Sequence, residues 1–99
     1  MKKEKYLPVG SVVLLEGATQ KLVVIGYGVK SDETNELYDY AAAPYPIGVI
    51  SNDQTLVFNH EQIKDVYYMG YSDEQYNEFN LKLNNLMEET KSNIGNNKQ

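Results

Sequence analysis

The chain has 99 residues, enough for one domain with a modest core and not for a second. Nine Lys and Arg against 14 Asp and Glu give a formal charge of −5, which offers a phosphate backbone little attraction and argues against a nucleic-acid partner. Cysteine is absent, which excludes disulfides, thiolate catalysis and zinc-ribbon sites and favours a reducing cytoplasm.

The opening residues carry Lys2, Lys3 and Lys5 and then an apolar run, but only Val12 to Leu15 is continuously apolar. Pro8, Gly10 and Glu16 bound that run, so a signal peptide is not expected. No stretch is apolar for long enough to span a bilayer, so no stable membrane insertion is expected, and three lysines without an anchor bind a lipid surface weakly. Ser11–Glu16 and Lys21–Tyr27 predict a hairpin joined by Gly17 to Gln20. Both runs are apolar on both faces. One face is therefore expected to pack the core and the other to be covered, with the C-terminal helix as the obvious cover. Gly26 and Gly28 predict a bend or bulge in the second strand.

Lys30–Glu36 reads as a polar loop, and Leu37–Ala43 as a half-exposed strand with Leu37, Asp39 and Ala41 opposite Tyr38, Tyr40 and Ala42. Pro44, Tyr45, Pro46 and Gly48 end that strand. Val49 to Ser51 is expected to be extended, Asn52 and Asp53 to turn, and Thr55–Phe58 to form a fourth strand. Asn59 and Gln62 have capping-box spacing around one helical turn, with Ile63 directed at the core, and Asp65–Met69 follows as a fifth strand. A helix is then predicted with Ser72 as N-cap, Gln75 at the box position and Tyr71 and Tyr76 as the staple. Tyr76, Phe79, Leu83, Leu86 and Met87 make its apolar face, while Glu78, Lys82, Asn85 and Glu89 lie largely on the other. The expected class is α+β: a small curved antiparallel five-stranded sheet of SH3-like or partly open barrel type, followed by one C-terminal amphipathic helix. The domain is expected to span 6–91, with 1–5 and 92–99 as flexible termini.

Residues that could carry chemistry are few. His60 is the only histidine, and with Glu61 beside it but no second ligand at i+4 it reads as the polar opening of a helical turn. Gly26-Tyr27-Gly28 lacks the third glycine, the Lys-Ser or Lys-Thr and the following helix of a phosphate loop. Asp32, Glu33 and Glu36, and likewise Asp73 and Glu74, lack the spacing of a calcium loop and suit a solvated loop and a helix start. No enzyme activity, cofactor or metal is expected. Tyrosine is in excess, with nine in the chain and no tryptophan. Its apolar ring and hydroxyl suit protein contacts, so Tyr38, Tyr40, Tyr45, Pro46 and Tyr68 are the candidate partner-binding residues. Tyr67 and Tyr68, being successive on one strand, are expected to face opposite ways. The alternative is that tyrosine replaces Phe and Trp in the core, with its hydroxyl at the rim.

Several strings together carry a resemblance to a known family: Leu7-Pro8-Val9-Gly10-Ser11-Val12-Val13-Leu14-Leu15, Tyr38-Asp39-Tyr40, Tyr45-Pro46 with Gly48, Phe58-Asn59-His60-Glu61 with Ile63, and Gly70-Tyr71 with Asp73-Glu74. From Tyr6 to about Leu83 the chain resembles a family of small cytoplasmic proteins of Gram-positive bacteria, known as a domain of unknown function. That family occurs in type VII (Esx-type) secretion gene clusters beside LXG-toxin genes. The resemblance implies a non-enzymatic accessory role in toxin export, as a chaperone or targeting factor that binds the toxin or its small helical export partner. It supplies no catalytic residues. An immunity protein that neutralises a co-encoded toxin remains the alternative, and a homo-oligomer stays open.

Overall fold

The computed structural model describes residues 6–30, 35–49, 51 and 55–96, the last five of these as backbone. Asp32, Glu33, the Asn52–Asp53 turn, the N-terminal lysines and the last residues of the chain lie outside the described residues, as does Ile50 within the Val49 to Ser51 stretch.

The strands are β1 (Val12–Leu15), β2 (Leu22–Lys30), β3 (Leu37–Pro44), β4 (Leu56–Phe58) and β5 (Ile63–Tyr68), and the helix is α1 (Glu74–Asn96). They form one open antiparallel sheet in the order β4-β3-β2-β1-β5. β1 to β4 make a meander, and β5 returns to pair with β1 at the far edge. Only the turn of Asn59 and His60–Gln62 joins β4 to β5. Five steps of chain reach at most about 18 Å, whereas the edges of a flat five-stranded sheet lie about 19 Å apart. A helical turn shortens that reach further. The sheet must therefore curl strongly, and register shifts between Val24 and Gly26 and in the β1–β5 ladder supply the bulges that bend it.

The connecting turn is fixed as its spacing predicts. Gln62 Oε1 accepts the Asn59 N–H at 2.8 Å, while Asn59 Oδ1 accepts the Asp39 N–H at 3.1 Å and ties the turn to β3. On the concave face Val13, Leu22, Val24, Tyr40, Ala42, Phe58 and Ile63 form the core with Leu83 and Met87 of α1. The helix therefore covers the same face that packs the core, and the convex face is left without it. At Gly28 (φ +62°) an added Cβ would lie 3.3 Å from Met87 Sδ, so glycine there serves both the left-handed backbone and the approach of the helix.

The helix differs in detail from its predicted form. Its N-cap is Asp73, not Ser72: Asp73 Oδ1 accepts the Tyr76 N–H at 3.0 Å. This shift removes the Tyr71–Tyr76 staple, and Tyr71 stands in solvent. The stripe against the core is half-buried Tyr76 with buried Asn80, Leu83 and Met87, while Phe79 and Leu86 flank it at 45% and 60% exposure. Asn80 lies in the stripe because its side chain has a buried partner, described below. The helical backbone continues past Lys91 to Asn96.

Candidate partner-binding surface

Four of the nine tyrosines do an internal job. Residues 6 to 8 run between the sheet and α1, and the polar backbone atoms of Tyr6 and Leu7 are met by side chains. Asn80 Oδ1 accepts the Tyr6 N–H at 2.9 Å, and Tyr76 donates its hydroxyl to the Tyr6 carbonyl. Tyr40 Oη accepts the Leu7 N–H at 2.9 Å, and Tyr27 donates to the Leu7 carbonyl at 2.5 Å. A buried segment outside the sheet would otherwise leave these groups unsatisfied at about 1–3 kcal/mol each. The rings pack as well: Tyr6 meets Tyr27 and Tyr40 edge-on with centroids 5.8 and 5.6 Å apart, and Tyr40 stacks on Phe58 at 5.1 Å.

Asp39 and His60 extend this layer. Asp39 Oδ1 accepts the Tyr6 hydroxyl at 3.2 Å and pairs with Lys91 Nζ at 2.8 Å, while Oδ2 accepts the His60 N–H at 2.9 Å. Tyr40 Oη, which accepts from Leu7, also shares a hydrogen bond with His60 Nδ1, 2.6 Å away. Burial pushes the Tyr6 and Tyr40 hydroxyls well above the usual phenol range, with the Asp39 charge adding to both. Burial and the neighbouring Tyr76 raise Tyr27 to about 12, and burial raises Tyr76 too. The four tyrosine hydroxyls therefore stay protonated at neutral pH. Among the described residues no group of three or more His, Cys, Asp or Glu is placed to hold a metal ion.

Tyr40 must accordingly leave the set of candidate contact residues. It is fully buried, because the curl of the sheet turns its face inward under Phe58 and the 6–8 segment. Tyr38 lies at the other end of β3 from Tyr45, half-buried, with its hydroxyl on Glu36 at 3.1 Å. Tyr45, Pro46 and Tyr68 are exposed.

Tyr45 and Tyr68 meet on the convex face. With Tyr67, Lys21, Val12, Val23 and Gly10 they line an open groove of about 490 Å³. Tyr67 joins Tyr68 there instead of facing the other way, because a register shift lies between the β1 partners of Val66 and Tyr68 and leaves Tyr67 as the extra residue. The loop after β3 is held to the start of β2: the Tyr45 N–H donates to the Lys21 carbonyl at 2.9 Å, and Gln20 Nε2 donates to the Tyr45 carbonyl at 2.6 Å. Lys21 Nζ lies 4.7 Å from the centre of the Tyr67 ring, in cation–π range. A second open groove, lined by Val9, Tyr27, Tyr71, Asp73, Gln75, Tyr76 and Phe79, lies beside the start of α1.

Sequence reasoning missed Lys21 and Tyr67, since nothing in the alternation of β5 announces its bulge. It also missed the internal tyrosine layer. A signal for that layer existed in Asn80, a polar residue on the stripe that Leu83 and Met87 define.

The model of a family described as a domain of unknown function, DUF4176, matches residues 6–79. The chain belongs to this family. Neither a curated protein nor a solved structure matches it significantly. The matched span includes both the internal tyrosine layer up to Phe79 and every residue lining the convex groove. No helix among the described residues is long and apolar enough to cross a membrane.

Proposed function

We propose that this protein is a non-enzymatic accessory factor of type VII secretion, which binds an LXG toxin or its small helical export partner as a chaperone or targeting factor. The secretion context rests on the resemblance carried by the strings between Leu7 and Glu74. The observation that supports binding is the convex groove: three tyrosines and two valines gathered on a sheet face that the chain's own helix leaves open. Exposed apolar patches bounded by polar atoms mark protein contacts, and tyrosine supplies contact area with little loss of freedom. The Pro44 to Gly48 loop forms one wall of the groove through Tyr45, and Pro46 stiffens that wall.

Co-expression with the neighbouring toxin and its export partner tests this reading. The wild-type chain is expected to co-purify one of them. Tyr45→Ala and Tyr68→Ala, whose side chains are exposed, should weaken capture at unchanged stability. If neither protein co-purifies, the accessory reading fails. If the toxin does co-purify and its activity is blocked in the complex, the protein is an immunity factor instead.

A further inference from the structure

We infer that the convex groove takes an extended acidic segment of its partner, with carboxylates placed beside aliphatic side chains. The inference rests on the binding reading above and adds the chemistry of the occupant. Three observations carry it. First, Lys21 is the one charged residue among the described residues that line the groove, in a chain whose net charge is −5. Second, its ammonium has no carboxylate within ion-pair distance among the described residues, although Lys91 does. Third, the hydroxyls of Tyr45, Tyr67 and Tyr68 reach no protein acceptor among the described residues, whereas those of Tyr6, Tyr27, Tyr40 and Tyr76 all do.

The groove thus offers one ammonium and three phenolic O–H groups, all able to donate, over a floor of Val12 and Val23. Its electrostatic complement is an acceptor-rich, negatively charged group next to apolar side chains. Charge-assisted bonds from Lys21 and a tyrosine to one carboxylate would fix the register, and the rings and valines would hold the aliphatic neighbours. An extended segment fits because its side chains alternate, so carboxylates can meet the donors at the rim while aliphatic groups reach the floor. Lys21 is held in place for this role by its backbone bond to Tyr45 and by the Tyr67 ring.

The test uses the isotope-labelled full chain and short capped peptides of alternating Asp and Leu, Asn and Leu, or Lys and Leu, followed by amide chemical shifts. The Asp–Leu peptide is expected to shift Val12, Lys21, Val23, Tyr67 and Tyr68 in a saturable way, and the Asn–Leu peptide to bind at least about tenfold more weakly. Lys21→Glu should abolish the preference for Asp–Leu and create one for Lys–Leu, while Lys64→Glu, on β5 outside the groove, should change neither. Equal binding of the Asn and Asp peptides overturns the inference, as does an equal effect of Lys64→Glu. Absence of groove shifts at millimolar peptide also overturns it, and so does saturation by anionic phosphatidylglycerol vesicles with no response to the Asp–Leu peptide. The peptides contain no toxin sequence, so failure here leaves co-purification as an independent test of the accessory role.

Discussion

The concave layer and the convex groove use the same residue in opposite ways. On the concave side Tyr6, Tyr27, Tyr40 and Tyr76 give their hydroxyls to backbone or side-chain partners and their rings to the core. On the convex side the hydroxyls of Tyr45, Tyr67 and Tyr68 meet no partner among the described residues, and Tyr67 turns its ring to Lys21. A small domain buries too little apolar surface to waste it, so a tyrosine with a satisfied hydroxyl is explained by the fold. One without a partner among the described residues, gathered with two others around a cation, has no such account within the fold, and the binding proposed above would supply one. Composition alone cannot make this distinction. It requires knowing where each hydroxyl points.

Alkaline pH should produce the largest difference between the two sets. The unfolded chain releases phenolic protons near the ordinary value of 10, and the folded chain holds those of Tyr6, Tyr27, Tyr40 and Tyr76 beyond it, Tyr27 up to about 12. Above pH 10 the native state therefore binds more protons than the unfolded state. The stabilisation is complete below 10 and falls as pH rises, by about 1.4 kcal/mol per pH unit for each fully buried tyrosine. Tyr6 and Tyr40, the two fully buried ones, should contribute most of this loss. Circular dichroism is expected to show cooperative unfolding between pH 10 and 12; retention of the native spectrum with all nine tyrosines ionised would show that the inner layer is open to solvent.

Asp39→Ala sharpens the comparison at a single side chain. It leaves the Tyr6 hydroxyl and the buried His60 N–H without their acceptor and frees Lys91. The expected loss is about 3 kcal/mol in urea unfolding, and a loss below about 1 kcal/mol would mean that the layer relaxes around the gap. The same contrast between buried and open sides applies along α1. Leu83→Ala should cost about 3 kcal/mol, while Phe79→Ala, at a half-exposed ring that touches Tyr27 with centroids 5.7 Å apart, should cost about 1. Equal costs would place the helix in a different rotation.

Local chemistry made much of the fold legible in the sequence. The β1–β2 hairpin, the Asn59–Gln62 turn and the Gly26 bulge each follow from residues within a few positions of one another. What escaped depends on distant partners. The predicted apolar face holds Phe79 and Leu86 and omits Asn80, because only the distant Tyr6 N–H that Asn80 accepts brings it into the buried stripe. Tyr40 alternates with Asp39 in a strand that looks half-exposed, but Asp39 to Ala43 are all buried because the curled sheet and its connections cover both faces there. Tyr45 and Tyr68 were legible as surface residues. Their convergence with Lys21 and Tyr67 was not, because it depends on a bulge and on the backbone bond that holds the Pro44 to Gly48 loop against β2.

Removing hydroxyls without removing rings tests the central division most directly. Equilibrium urea unfolding of Tyr40→Phe is expected to show a loss of about 2 kcal/mol, since the buried Leu7 N–H and His60 Nδ1 both lose their partner. Tyr68→Phe, at a hydroxyl with no protein partner among the described residues, is expected to stay within about 0.5 kcal/mol of wild type. Equal losses for the two variants, or a larger loss for Tyr68→Phe, would contradict the assignment of one set to the fold and the other to binding.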